Sequence, residues 1–327
     1  MPKVNKLIKN TNIQILINAC KSLGIKYQIQ DWEKYKLKLT HKNKTHVITS
    51  KSLGINESKA ISETHNKHEV YNLLKKASLP VLTQVKIRNM VDFDKQNLIS
   101  FPLTLKPLKG QKGKHVYLNI KNKLQLKKTL KEFKEVETWI IEPYFKAKDI
   151  RFLVLNNEVI GLSQRTAPFI KTNGKQTIRQ LIKKENQKRL DQNLKLGKRM
   201  LNRMLVWPRI GWYLNMQGLN LESIPEKGRK ILVYPLPNFT TGGSVQTIPL
   251  SNIHPSYLKL ALKTAKLSKL TILGIDMLIK DFKNPATAKN LAILEINSDP
   301  GLRLHDWPNV GKSQQVAEKI LSYIFSS

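Results

Sequence analysis

The sequence predicts an α/β chain assembled from α+β lobes. Apolar residues recur at helical spacing in several stretches. Short alternating or β-rich stretches lie between them, and turn residues join neighbouring strands as hairpins. With 327 residues and 40% apolar content, the chain is long enough to bury a substantial core around one large site. No internal repeat or low-complexity linker interrupts it.

The elements follow in order. Ile13, Leu16, Ile17, Cys20 and Leu23 share a helical stripe that Gly24 ends. KYQIQD, YKLKLT and THVITS read as short strands, so residues 1–60 form a small α/β lobe. NKHEVYNLLKKASLPVLTQVKI reads as a helix ending near Ser78, a turn at Pro80 and a strand. RNMVDFDKQNL is left open between loop and strand. FPLTLKPLKGQKGKHVYLNI is a strand, a Gly/Lys loop and a strand. LQLKKTLKEFKEV is an amphipathic helix with Leu124, Leu126, Leu130 and Phe133 inward, and TWIIEPYF is a buried strand ending in an acid.

DIRFLVLNNEVIGLSQRT is a hairpin turning at Asn156-Asn157. Residues 176–205 are helical, and KGRKILVYPLPNFTTGGSVQTI is a strand followed by a Thr-Gly-Gly turn. SYLKLALKTAKLSKL is a helix, TILGIDMLIK and LAILEIN are strands of one hairpin, and SQQVAEKILSYIF is a closing helix.

Lys and Arg number 57 against 23 Asp and Glu, a net charge of +34. Such a field attracts polyanions. The lysines are scattered rather than blocked, which also suits a solvated basic surface. Cys20, the single cysteine, excludes an internal disulfide and a Cys-based zinc site, and reads as a buried helix thiol. The N-terminus does not read as a signal peptide, and no stretch approaches the length of a membrane span, so a soluble cytoplasmic protein is expected.

Three constellations carry chemistry. In LAILEINSDPGLRLH, Glu295 and Asn297 are two residues apart on a strand and face one side, with Asp276 on the hairpin partner. Two carboxylates and an amide oxygen suit Mg²⁺, whose remaining ligands come from phosphate and water. A plain Asp/Asn turn explains Asp299 but not a glutamate inside an apolar run. In LKPLKGQKGKHV, Lys106 ends an apolar strand and Gly110 and Gly113 open a lysine-rich loop of the kind a triphosphate needs; it is no Walker loop, and taken alone it reads first as a lysine-rich hairpin tip. In IIEPYFKAKDIRFLVL, Glu142 closes a strand and Asp149 and Arg151 share a face; the alternative there is a surface salt bridge.

Taken in order, these parts resemble the ATP-grasp superfamily of carboxylate–amine ligases, with the nearest pattern in the ATP-grasp modules of cyanophycin synthetases and bifunctional glutathione synthetases. KPLKGQKGKHV, the stretch from Glu142 through Asp149, Arg151 and Arg165 to TIRQLI, NFTTGGSVQTI and GIDML…LEINSDPGLRLH carry the likeness, which spans nearly the whole chain.

The resemblance implies two antiparallel-sheet α+β lobes that grip ATP, preceded by the small lobe: residues 1–65, a lid subdomain 66–145 and a catalytic lobe 146–327. It implies that Lys67 and Lys106 contact ATP phosphates and that Gly110 and Gly113 belong to the lid loop. Glu142 would bind the adenine side and Asp149 the ribose side. Asp276, Glu295 and Asn297 would hold Mg²⁺, as two ions. Arg151, Arg165 and Arg303 would act on the substrate carboxylate or acyl phosphate, with Thr241, Gly242 and Gly243 presenting backbone N–H groups there.

The expected reaction is ATP-dependent amide formation on an amino acid or peptide, acidic in view of the charge. Glutathione-type and glutamate-tail ligases are the neighbouring alternatives, and a degenerate polyanion-binding protein, nucleic acid included, is the non-enzymatic one. A homo-oligomer is left open. Departures from the family pattern fall at Lys109, His115, Lys146-Ala147 and Asn173, and bear on lid geometry and substrate choice. No stretch resembles the second, Mur-ligase-like module of cyanophycin synthetases, so complete cyanophycin synthesis is not expected of these residues.

Overall fold

The computed structural model describes residues 10–109, 114–196, 202–204 and 208–326, without the side chains of His65, Lys67, Pro208 and Arg209. The first lobe is built from α1 (Thr11–Ser22) and the antiparallel strands β1 (Lys26–Asp31), β2 (Lys36–His41) and β3 (Lys44–Ile48). Asn10 caps α1, accepting the Ile13 N–H at 3.2 Å. Two helices follow, α2 (Ser58–His65) and α3 (Lys67–Lys76).

A four-stranded antiparallel sheet comes next. It comprises β4 (Val85–Ile87), β5 (Leu103–Pro107), β6 (Tyr117–Ile120) and β7 (Trp139–Pro143), in the order β4-β7-β5-β6. Its helices are α4 (Met90–Lys95) and α5 (Lys123–Glu132). RNMVDFDKQNL therefore contains a helix. Its cap, Asn89 accepting the Asp92 N–H at 3.0 Å, is local, but six residues are too few for periodicity to register. Leu126 and Phe133 of the α5 region are buried as expected, whereas Leu124 is 76% exposed. It lies one residue into the helix, on the turn that faces solvent.

The largest sheet is antiparallel, in the order β12-β9-β8-β13-β14. Its strands are β8 (Lys148–Leu155), β9 (Glu158–Thr166), β12 (Ser244–Thr247), β13 (Ile272–Ile279) and β14 (Leu291–Asn297). Asn156 and Asn157 turn β8 into β9 with φ of 45° and 61°, the left-handed pair that a two-residue type I′ hairpin requires. Between β9 and β12 lie the small β10 (Phe169–Lys171)/β11 (Lys230–Leu232) pair, α6 (Ile178–Lys195) and α7 (Pro208–Asn215). The helix expected over 176–205 is thus shorter: α6 stops at Lys195, and 202–204 are not helical.

Helix α7 joins two cores. Ile210 and Leu214 pack with α6 and the small sheet, while Trp212 enters the core of the four-stranded sheet, its ring centroid 4.3 Å from that of Tyr117.

One face of the five-stranded sheet, through Ile150, Phe152, Ile275 and Ile293, is covered by α8 (Pro255–Ser268) and α3. On the other side, Leu153, Leu155 and Ile272 join the core of the first lobe. That core also takes Val316, Ile320 and Leu321 of α10 (Val316–Ser326), so the two ends of the chain share one interior. Cys20 lies fully inside it, and burial pushes its thiol up to about 11. The start of α10 is set by Asp306 of α9 (Arg303–Asp306), which accepts the Val316 and Ala317 N–H groups at 2.7 and 2.9 Å. Among the described residues, no helix is long and apolar enough to cross a membrane.

Candidate active site

Two sheet faces collect polar side chains. On the four-stranded sheet, Ile87, Leu105 and Ile141 point into the core. The pleat then sends Thr104, Lys106, Ile140 and Glu142 to the opposite face, where Thr104 pairs with Glu142 and Lys106 with Ile140. Glu142 is 4% exposed. Its Oε1 accepts from Lys106 Nζ at 2.5 Å and from Gln84 Nε2 at 2.6 Å. Lysine has three donors, so one bond to Glu142 leaves Lys106 able to hold an anion as well.

On the five-stranded sheet, Arg151, Asp276 and Glu295 lie in register across β8, β13 and β14. Arg151 grips Asp276 with Nε to Oδ1 and with Nη2 to Oδ2 at 2.9 Å. Arg165 Nη2 reaches the same Oδ2 at 2.9 Å, and its Nε donates to Asp149 Oδ1 at 2.6 Å. Asn297 Nδ2 donates to Glu295 Oε1 at 3.3 Å. These pairs are not surface salt bridges: Arg151 is 6% and Asp276 2% exposed. Burial raises the pKa of Asp276, but Arg151 and Arg165 outweigh it and hold the carboxyl below the usual range. Burial alone would lower the Arg165 pKa; Asp276 and Asp149 reverse that and lift it.

Two glycines make room for this network. A Cβ at Gly274 would lie 2.9 Å from Arg151 Nη1, and one at Gly161 would lie 2.8 Å from His305 Nδ1. His305 is fully buried, and its Nδ1 lies 3.0 Å from Gln314 Oε1. That oxygen also accepts the Leu162 N–H, while Gln314 Nε2 donates to Ile248 O, so the imidazole carries its proton on Nδ1. Burial pushes its pKa down to about 4, against the Gln314 bond, with Arg151 and Arg165 adding to the fall. The sequence reading named none of Gln84, Gly161, Gly274 or His305. Lone glycines inside VIGLS and ILGID were the available signal for a close approach.

Asp276, Glu295 and Asn297 therefore come together, as expected. Asp276 and Glu295 are direct cross-strand partners on β13 and β14. Two carboxylates so placed repel each other, and a bound divalent cation would relieve that repulsion. With Asp149, whose pKa burial raises against the pull of Arg165, three carboxyl groups face two guanidiniums. The donor set fits a hard cation that takes part of its coordination from phosphate oxygens. Among the described residues, no three His, Cys, Asp or Glu side chains converge on a metal by themselves.

The remaining expected residues are placed as follows. Lys67 opens α3, and its side chain lies outside the described residues, as do Gly110 and Gly113. Asp149 is engaged by Arg165 through Oδ1. Arg303 is 5% exposed, with Cζ 3.2 Å from the Phe239 ring centroid. The N–H groups of Thr241, Gly242 and Gly243 do not project as donors. They bond to Asn238 O, Phe239 O and Asn238 O at 3.2, 3.1 and 3.0 Å, because Gly242 at φ 96° closes the turn on itself. Arg189 Nη1 anchors this turn through Gly242 O at 2.7 Å.

One antiparallel sheet thus carries Lys106 and Glu142 on its polar face, and another carries Arg151, Arg165, Asp276 and Glu295. The RimK-like ATP-grasp domain matches residues 64–188 and 237–324, and the chain belongs to that family. The glutathione biosynthesis bifunctional protein GshAB of Clostridium perfringens is 35% identical over 195 residues, 59% of this chain and 25% of that protein. The cyanophycin synthetase of Crocosphaera subtropica is 28% identical over 272 residues, 81% of this chain and 31% of that protein. The chain thus spans about a quarter to a third of the curated relatives' length. The solved bifunctional glutathione synthetase from Pasteurella multocida superposes with a TM-score of 0.68 at 22% identity, over 96% of this chain and 44% of that one, a likeness of fold.

Proposed function

We propose that the chain is an ATP- and Mg²⁺-dependent ligase that joins the carboxylate of an amino acid or peptide to an amine. The observation that carries this reading is the register line Arg151–Asp276–Glu295, flanked by Arg165 and Asn297. In this reading, Lys106 and Lys67 hold ATP phosphates, Gly110 and Gly113 belong to the covering loop, and Glu142 lies at the adenine side. Asp276, Glu295 and Asn297 hold two Mg²⁺ ions, which neutralise phosphate charge when bound. Asp149 orients Arg165.

A carboxylate resists direct attack by an amine. Transfer of the γ-phosphoryl group gives ADP and an acyl phosphate, from which the amine displaces phosphate. Arg165 and Arg303 bind the carboxylate and then the acyl phosphate, and Arg151 holds Asp276 in place. Catalysis is positioning and charge neutralisation, with no protein nucleophile. The net charge of +34 favours an acidic acceptor.

The test is ADP release with a panel of amino acids and acidic peptides, with Glu295→Ala as the control. Acceptor-dependent ADP that disappears in the variant is expected. ATP turnover that ignores every acceptor, or persists in Glu295→Ala, overturns the reading.

A further inference from the structure

Gln84 immediately precedes β4 and lies opposite Glu142, because Val85 pairs with Ile141. Its amide nitrogen donates to Glu142 Oε1 at 2.6 Å. An ionised carboxylate only accepts, so the orientation of the amide is fixed and Gln84 Oε1 turns away from Glu142. That oxygen is buried, and no donor among the described residues reaches it. Leaving such an acceptor unmet is costly, and side-chain amides are seldom left so. Its place is also informative. It lies at the start of β4, across from the end of β7, and on a different sheet from the Asp276–Glu295 pair.

Gln84 thus carries an unmet acceptor next to a carboxylate, on a sheet face that already holds a lysine, and wants a donor. We infer that Gln84 is a base-reading residue of the nucleotide site, its carbonyl oxygen accepting from the exocyclic amino group of adenine beside Glu142. The inference rests on the nucleotide reading above and adds the selection of the base. Adenine presents an amino group at this ring position, whereas guanine presents a carbonyl oxygen. That oxygen would face the Glu142 carboxylate and Gln84 Oε1, with repulsion in place of two hydrogen bonds. A site built to meet an N–H group rejects an analogue lacking it, because its own buried acceptors are then unpaired.

The experiment is calorimetric binding of ATP, GTP and purine riboside triphosphate, which carries hydrogen in place of the amino group, to the wild-type chain and to Gln84→Met. The wild type is expected to prefer ATP over the purine analogue by about tenfold or more, with GTP weaker still. Gln84→Met is expected to lose about tenfold in ATP affinity while binding the purine analogue within about threefold of wild type. An ATP-to-purine ratio that is the same in both proteins overturns the assignment and leaves the nucleotide reading standing, as it would if only a water met Oε1. A wild-type chain that binds no ATP overturns both. Thermal melting verifies the fold of the variant, and Gln84→Ala replaces it if it does not fold. The three-ligand comparison on the wild type is independent of any variant: equal affinities overturn the assignment by themselves.

Discussion

The two polar sheet faces differ in how their charges are held. On the four-stranded sheet, one ion pair and one amide bond meet at a single oxygen of Glu142, and Lys106 remains 18% exposed. On the five-stranded sheet, Arg151 and Arg165 converge on an Asp276 that is only 2% exposed, Arg165 itself keeping 16%, and two glycines are kept clear to seat the side chains around them. The first arrangement can exchange partners when an anion arrives. The second is built into the interior, and disturbing it disturbs the fold. A site that must bind, turn over and release nucleotide needs both: a face that re-pairs easily, and one that keeps its geometry while charge passes over it.

The largest expected effect is on the buried network. Asp276→Asn keeps the volume but removes the charge shared by two arginines. Arg165 retains Asp149, and Arg151 is left buried without a carboxylate. Removing one partner of such a pair costs about 3–5 kcal/mol. Urea unfolding should show that loss, and a change below about 1 kcal/mol would mean the network is solvated, which erases the contrast between the faces.

Next comes acid. His305 stays a neutral imidazole, without its second proton, down to about pH 4 in the folded chain, whereas an unfolded histidine takes up that proton near 6.5. The unfolded state therefore binds the extra proton first. The contribution is fully present above pH 6.5 and is lost as pH falls toward 4. It amounts to about 3 kcal/mol from the shift in pKa. Comparing unfolding at pH 7 and pH 4.5 in the wild type and in His305→Gln isolates it, since the variant should lose less stability over that window. Parallel losses in both proteins would assign the acid sensitivity to other groups.

Where the sequence succeeded, the determinants were local. Asn156-Asn157 is a hairpin turn by its own backbone preference, and the two-residue period put Glu295 and Asn297 on one face beside Asp276. What escaped it is long-range. Arg151 and Asp276 are 125 positions apart, and nothing in either neighbourhood pairs them. Gln84 acquires meaning only when β4 is laid against β7, 58 positions later. The shared core of α1 and α10 could not be inferred from either amphipathic stripe alone. The backbone N–H groups of Thr241 to Gly243 were misjudged for a related reason. A Thr-Gly-Gly turn offers donors only until its own closure is known, and Gly242 at positive φ consumes them.

The smallest expected effect sharpens the comparison most, because it concerns reversibility. Lys106→Met removes one of two donors to Glu142. Gln84 still donates to that carboxylate, so the cost should be about 1–2 kcal/mol, below that of Asp276→Asn. Combining it with Glu142→Gln also removes the stranded charge. Removing both partners of a pair is far less damaging than removing one, so the double variant should recover most of the lost stability. Nucleotide affinity should not recover if Lys106 holds the phosphates as proposed, since that lysine is still gone. A double variant as unstable as the sum of its parts would mean that Lys106 and Glu142 are bound into the fold no less firmly than Arg151 and Asp276. The four-stranded face would then have no exchangeable pair with which to receive a nucleotide.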